Sequence, residues 1–265
     1  RVDMLIRVLK DKKVVIIYIG IPENKEQAFI DKNPTTDYRI ISEIPPSVFQ
    51  KWKEVDGEIV VQDWVFDAWG GQYPPWAEDD AIPCQIASIL NLQCESFDLI
   101  VEKGNLEFNG AGAMIVSWPC QQNRNPNVSM AEQEIIFQDA FGVSEVIWLM
   151  SAPAEELTGG HTDGIARFIN ETTVAVVRYV DQNDADAQVY EEAATIIANA
   201  GFNVERIDMP GYVNYSGTQL QAGYVNWLVT DNAVIATGFN VPTWDNAAKV
   251  RIEQFFPGRE VHVID

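Results

Sequence analysis

The sequence predicts an α/β fold built from radially repeated units, and three observations predict it. Short apolar strand candidates come in pairs joined by turn residues. Each pair is followed by a helix and then by a further strand. The helices begin near positions 79, 129, 187 and 245, roughly sixty residues apart, a period that suits a repeated architecture. A doubly wound sheet would instead alternate single strands with helices. The chain has 265 residues, 47% hydrophobic and 22% charged, which suits a sizeable core and excludes disordered, collagenous and coiled-coil classes. No linker composition interrupts it, so one domain over 1–265 is expected.

The elements follow in order. Residues 2–10 carry apolar side chains on a helical spacing, and 13–19 form a compact β-rich run. Pro22 opens a helix to Ile30, and Asn33-Pro34 marks a turn. A short strand is expected at 38–41, stopped by Pro45-Pro46, which removes a donor and restricts its neighbour. Residues 58–64 read as a strand leading into a packed aromatic loop, Phe-Asp-Ala-Trp-Gly-Gly-Gln-Tyr-Pro-Pro-Trp, over 66–76. Asp79 or Asp80 is expected to cap a helix reaching Leu90.

Strands are then expected at 97–101, 106–108 and 113–116, with Asn109-Gly110 supplying the positive φ angles of a hairpin. Ser129 and Glu132 form a capping-box pattern for a helix through Phe141, before a buried strand at 146–150. The pattern repeats with strands at 165–169 and 174–177, a helix at 187–199 ended by Gly201, and a strand at 204–207. It repeats again with strands at 224–229 and 233–236, a helix from Trp244 or Asp245 to Phe255, and a strand at 260–263.

Charge narrows the function. Acidic residues outnumber basic ones by 39 to 18, a formal charge of -21. That disfavours a nucleic-acid backbone and an anionic membrane surface, both of which require cationic side chains. It tolerates a cationic ligand. No run of eighteen apolar residues occurs, and no leader with a long apolar core is seen, so a cytoplasmic protein is favoured. The chain begins with Arg1, so a removed signal and a secreted protein stay open. The sequence leaves a homo-oligomer open too.

Cys84, Cys94 and Cys120 are too few for a disulfide framework and lack metal-motif spacing, although one bridge is compatible with them. Tyr18-Ile19-Gly20-Ile21-Pro22 lacks the glycines of a dinucleotide loop, no calcium-loop pattern occurs, and no cofactor or metal is expected.

Two histidines exist. His262 alternates with valines in a terminal strand and reads as structural. His161 lies in Gly159-Gly160-His161-Thr162-Asp163-Gly164, where glycines permit close approach. On extended backbone, residues two apart share a face, so His161 and Asp163 can line one pocket. Such a pair can exchange protons near neutrality and hold a cation; a turn with a capping Asp fits the same spacing.

Six passages in order carry a family resemblance. They are the aromatic loop 66–76; Glu102-Lys103-Gly104-Asn105-Leu106-Glu107 with Asn109-Gly110-Ala111-Gly112; Asn123-Arg124-Asn125-Pro126; and Gly160-His161-Thr162-Asp163 with Arg167-Phe168. Tyr224-Val225-Asn226 and Phe256-Pro257-Gly258-Arg259 complete the series. Together they resemble the bacterial agmatine deiminase and bacterial-type peptidylarginine deiminase family of guanidino-modifying enzymes. The resemblance implies a pseudo-fivefold α/β propeller (pentein), incomplete here, with family segments lacking at both ends.

It further implies a thiolate that attacks a guanidinium carbon, carboxylates that hold the planar cation, and a histidine that moves protons. By this resemblance His161 is the acid-base residue and Asp163 binds guanidinium. Glu43, in Ser42-Glu43-Ile44-Pro45-Pro46, stands where a second guanidinium-binding Asp is expected. Trp69 either stacks on the guanidinium or belongs to the core, and Glu102 either faces substrate or positions backbone. Asn226 either bonds substrate or holds its loop, and Arg167 reads as a structural clamp.

The family's nucleophile belongs to a Gly-Gly-x-His-Cys passage that this sequence does not contain, and all three cysteines read as structural. The expectation is therefore a chain lacking the nucleophilic Cys. The ligand expected is a small cationic guanidino compound, agmatine before peptidyl-arginine, turned over by a complete parent enzyme or held by an inactive paralogue.

Overall fold

A computed structural model describes residues 4–9, 14–19, 54–55, 58–154, 158–215 and 217–264. The chain divides into two compact units, Arg1–Phe49 and Gln50–Asp265. In the first, β1 (Met4–Leu9) pairs antiparallel with β2 (Val14–Ile19), Leu9 opposite Val14 and Met4 opposite Ile19. The helix expected over 2–10 is thus a strand. Its apolar residues are dense enough to satisfy a helical period, but a β-forming partner of equal length pairs with it residue for residue. The helix expected from Pro22, the strand at 38–41 and Glu43 lie outside the described residues.

Within the second unit one module occurs four times among the described residues. β3 (Glu54–Val55) lies antiparallel to β4 (Glu58–Val65), and helix α1 (Ile82–Leu90) leads to β5 (Gln93–Ile100), parallel to β4. The second module is β6 (Leu106–Phe108), β7 (Ala113–Ser117), helices α2 (Trp118–Arg124) and α3 (Met130–Phe141), and β8 (Glu145–Leu149). The third is β9 (Ala166–Asn170), β10 (Thr173–Tyr179), α4 (Ala187–Asn199) and β11 (Asn203–Met209). A hairpin of β12 (Tyr212–Tyr215) and β13 (Thr218–Gln221) precedes the fourth, which is β14 (Trp227–Val229), β15 (Ala233–Thr237), α5 (Pro242–Phe255) and β16 (Glu260–Ile264).

Each module closes a three-stranded sheet whose middle strand has one antiparallel and one parallel neighbour. In the second and third modules the middle strands are covered on both faces and read as continuous apolar runs, whereas β15 alternates buried and exposed residues. All five residues of β7 are buried, and so are Val174 to Val177 of β10. Asn109 makes the β6–β7 hairpin by accepting from the amides of Ala111 (2.8 Å) and Ala113 (2.9 Å), a wider loop than a two-residue turn.

Some boundaries differ from expectation for local reasons. Asp80 does not cap α1: its Oδ1 accepts from the amide of Phe66 at 2.7 Å, and α1 starts at Ile82 with Pro83 in the first turn. The aromatic loop contains a left-handed turn at Ala68–Gly71, all four residues at positive φ, and its 70–75 stretch is exposed rather than packed. Within 224–229, only Trp227–Val229 is strand. The β12–β13 hairpin escapes sequence reading because Tyr-Val-Asn-Tyr and Thr-Gln-Leu-Gln carry little apolar alternation. Cys84 and Cys94 form a disulfide between α1 and β5, and the buried Cys120 takes no part in it.

Ser129 caps α3 as expected. Its Oγ accepts from the Glu132 amide at 3.3 Å, and Glu132 accepts from the Ser129 amide at 2.9 Å. The helix then drives Phe137 into a cluster with Leu99, Met114, Val116 and Trp148. Replacing Ser129 with Ala is expected to cost about 1 kcal/mol. Phe137→Ala is expected to cost about 3–5 kcal/mol, because it leaves a cavity under β7. Urea unfolding of the two variants checks this ordering.

Candidate functional site

The repeat positions the site. The second and third modules each begin with a single 3-10 turn, Lys103–Asn105 before β6 and Thr162–Gly164 before β9. Glu102 immediately precedes the first turn and His161 the second, so the two residues hold equivalent places in successive modules. The turns are bonded to each other, since Thr162 Oγ1 donates to the Asn105 carbonyl at 3.1 Å. Asn105 is fully buried and fixes its own turn to β7, accepting from the Ser117 amide (3.1 Å) and donating to its carbonyl (3.2 Å). One strand further on, Glu107 accepts from Arg167 Nε (2.7 Å) and from the Phe168 amide (2.9 Å). Arg167 also donates to the Trp227 carbonyl at 3.1 Å, so it clamps three modules.

The Glu102 carboxylate joins the site's charged groups. It is buried, as are His161 and Arg124. His161 Nε2 bonds to Glu102 Oε2 at short range. Arg124, at the end of α2, donates Nε to Oε1 at 2.7 Å and Nη2 to Oε2 at 3.4 Å. Its remaining donors reach the Thr158 carbonyl (2.6 Å) and Asn123 Oδ1 (2.8 Å). Burial alone would raise the Glu102 pKa, but the hydrogen bonds and charges of His161 and Arg124 outweigh it and hold the carboxyl below its ordinary 4.5. Burial works against the Arg124 cation too, and Glu102 more than compensates, so its pKa is raised.

With Glu102 ionised, Nε2 of His161 is the donor and Nδ1 is left for other partners. Gly104 shows where Nδ1 points. A Cβ built on Gly104 would collide with Nδ1 of His161 and stand 2.8 Å from Oδ2 of Asp163. The histidine nitrogen and the carboxylate oxygen therefore both pack against the Gly104 backbone, an approach that only a residue without a side chain allows. Beside it, the stem of Lys103 is exposed while its ammonium turns inward to the Leu106 carbonyl at 3.3 Å. Burial lowers the Lys103 pKa, against the opposing charges of Glu107 and Asp163.

A thiol joins this group. Cys120, one helical turn before Arg124 on α2, sets its Sγ 4.0 Å from Glu102 Oε2. Ligand-type atoms of Glu102, Cys120 and His161 all lie within 4.8 Å of one another. This overturns the expectation of a chain lacking a cysteine at the site and of a purely structural Cys120. The family pattern places the thiol beside a C-terminal histidine, whereas α2 follows directly after β7 and delivers Cys120 from mid-chain. The readable signal was the helical spacing of Cys120 and Arg124 beside Asn-Arg-Asn-Pro. The same three donors could suit a thiophilic cation, but Arg124 already engages both oxygens of Glu102.

The other expected residues lie as follows. Trp69, partly buried with φ 59°, is met edge-on by Phe66 and Tyr73 at 5.3 and 5.7 Å. Its loop reaches Arg124 through Asp67, 3.8 Å from Nε, and through Gly70, where a Cβ would stand 3.0 Å from Nη1. Asn226 is exposed on the loop before β14, in which Gly223 packs close to the Gly164 carbonyl. Glu43 lies outside the described residues.

The sequence pattern of Porphyromonas-type peptidyl-arginine deiminases matches residues 31–265. The chain belongs to that family. A relative from Legionella pneumophila is 27% identical over 211 residues, covering 77% of this chain and 61% of that protein. The agmatine deiminase of Ectopseudomonas mendocina is 27% identical over 241 residues, covering 78% and 65%. Thus the chain spans less than two thirds of the length of these curated relatives. Among solved structures, a C. jejuni agmatine deiminase with substrate bound superposes with TM-score 0.71 at 25% identity, covering 77% of this chain and 62% of that one. The agmatine deiminase of Enterococcus faecalis gives 0.69 at 26%, covering 79% and 65%. The repeated modules are those of the pentein α/β fold shared by these guanidino-modifying enzymes.

Two outcomes are expected of Glu102→Gln. Near neutrality it costs about 3–5 kcal/mol, the penalty for leaving a buried charge without its partner. The depressed Glu102 pKa contributes stability that is full above 4.5 and lost as pH falls through the folded-state value. The variant's unfolding free energy should therefore fall less steeply than the parent's below that pH, as read by denaturant titrations across the acid range.

Proposed function

We propose that the whole protein is a deiminase that hydrolyses a guanidino C–N bond of a small cationic substrate. The favoured reaction converts agmatine to N-carbamoylputrescine and ammonia; peptidyl-arginine is the other substrate considered. The observation that carries this reading is that His161 Nδ1 and Asp163 Oδ2 stand side by side at Gly104, while the other face of the histidine joins Glu102 and Cys120. A planar cation needs an anionic acceptor there, and a leaving nitrogen needs a proton donor at the same place. Family membership and the formal charge of -21 support it.

In this reading Asp163 holds the guanidinium, and Glu43 keeps the part of a second carboxylate. His161 protonates the departing ammonia through Nδ1 and then takes a proton from water, while Glu102 and Arg124 fix the ring from the Nε2 side. Trp69 and Asn226 border the cation. A thiol gives its proton to Nδ1 of His161 as its sulfur attacks the guanidinium carbon, and that proton passes to the departing nitrogen as the C–N bond breaks. Water, losing a proton to His161, then displaces the sulfur from the thiouronium, and the proton returns to the thiolate as the ureido product leaves. Cys120 is the thiol brought into the cluster, and we assign the attack to it. Its Sγ lies on the Glu102 side of the ring, so variants at Cys120 test that assignment directly.

Ammonia and ureido-product formation from agmatine and from a peptidyl-arginine substrate are the measurements. Turnover of agmatine above that of the peptide is expected, and no product from either would overturn the deiminase reading. Asp163→Asn is expected to abolish guanidine binding by calorimetry; unchanged affinity would remove Asp163 from the pocket. Cys120→Ala is expected to lower turnover by about a hundredfold or more with affinity retained. Full turnover in that variant would move the attack to another group.

A further inference from the structure

A second cluster of reactive side chains lies away from His161, on the first module of the second unit. β4 and β5 run parallel with Val61 opposite Cys94 and Asp63 opposite Ser96. Side chains two apart on a strand share a face, so Asp63, Cys94 and Ser96 stand together beneath α1. Cys84 comes down onto them from the first turn of α1. One oxygen of each donor type and two sulfurs meet there: Asp63 Oδ2 lies 3.3 Å from Cys84 Sγ and accepts from Ser96 Oγ at 2.9 Å. The ligand atoms of Asp63, Cys84 and Cys94 all lie within 4.8 Å of one another, at partly buried positions.

We propose that these three residues form a redox-gated site for one thiophilic divalent cation of the zinc type. As a disulfide the pair has no ligand to offer. Exchange with a dithiol moves two electrons and two protons onto the sulfurs of Cys84 and Cys94, and the dithiol leaves as its own disulfide. The cation then displaces both thiol protons and joins two thiolates, the Asp63 carboxylate and a water in tetrahedral geometry.

Two features favour metallation over two free thiols. Cys84 sits at a helix start, where peptide dipoles favour a thiolate. Its nearest oxygen is an anionic carboxylate that, among the described residues, makes no ion pair with Lys or Arg. Reduction therefore gathers three potential anions that no Lys or Arg among the described residues pairs, and a bound divalent ion removes that repulsion. Ser96 orients the carboxylate as an outer partner of the ligand. The Glu102 cluster differs, because Arg124 already neutralises its carboxylate.

Cobalt(II) added to the whole chain tests this, before and after dithiol reduction and anaerobic removal of the reductant. One equivalent with sulfur-to-cobalt charge-transfer absorption is expected in the reduced protein and none in the oxidised protein. Cys84→Ser is expected to abolish the band, and Asp63→Asn, which keeps the disulfide pair, to weaken binding about tenfold or more. Cys120→Ser is expected to leave the band in place. A reduced protein that takes no cobalt overturns the proposal. So does a band that survives Cys84→Ser, or one that disappears with Cys120→Ser.

Discussion

The site depends on one buried carboxylate. Glu102 accepts from Arg124 on one side and from His161 on the other, with all three side chains withdrawn from solvent. A buried anion survives only if hydrogen bonds and opposite charge replace the water it has lost. Both are present, and the lowered pKa of Glu102 is their net result. Because that bond occupies Nε2 of His161, the ring's other nitrogen is turned toward Gly104 and Asp163. Orientation of the histidine is thus a consequence of charge pairing and not of packing alone.

The fold makes that pairing possible by repetition. Equivalent 3-10 turns at the beginning of adjacent modules bring Glu102 beside His161, although 59 positions separate them. Asn105, Thr162 and Glu107 supply the neutral and charged bonds that keep the two turns in register. Acidic side chains exposed elsewhere give the chain its large negative charge, but the carboxylates of this site work inside it. Their contribution is local direction and proton affinity, whereas the overall charge acts on the approach of a cation.

Much of this was legible in the sequence, for identifiable reasons. The capping box at Ser129 and Glu132, the apolar middle strands and Gly201 are local signals, and local signals fix elements. His161 and Asp163 were readable as neighbours, but the extended backbone expected for them is a 3-10 turn over Thr162–Gly164, and that turn sets their geometry. Residues 2–10 misled because a densely apolar segment satisfies both periods, and only its partner strand decides. Cys120 was misread for a different reason. Its neighbours Glu102 and His161 come from other modules, so nothing near it in the chain marks it as part of a site. The role of Glu102 was half legible: its motif was visible, but a bond to His161 is a product of the turn-to-turn contact. The β12–β13 hairpin left no periodic trace at all.

The central claim is that Glu102 holds Nε2 of His161 so that Nδ1 meets the guanidinium beside Asp163. Nitrogen-15 NMR of the imidazoles tests it most directly, because the chain has only two histidines and the exposed His262 serves as an internal control. The account predicts an Nε2-protonated ring for His161 whose Nδ1 resonance shifts on adding agmatine and not on adding putrescine, which lacks the guanidino group. A proton on Nδ1 in the free protein, or a His161 ring indifferent to agmatine at saturating concentration, would contradict it.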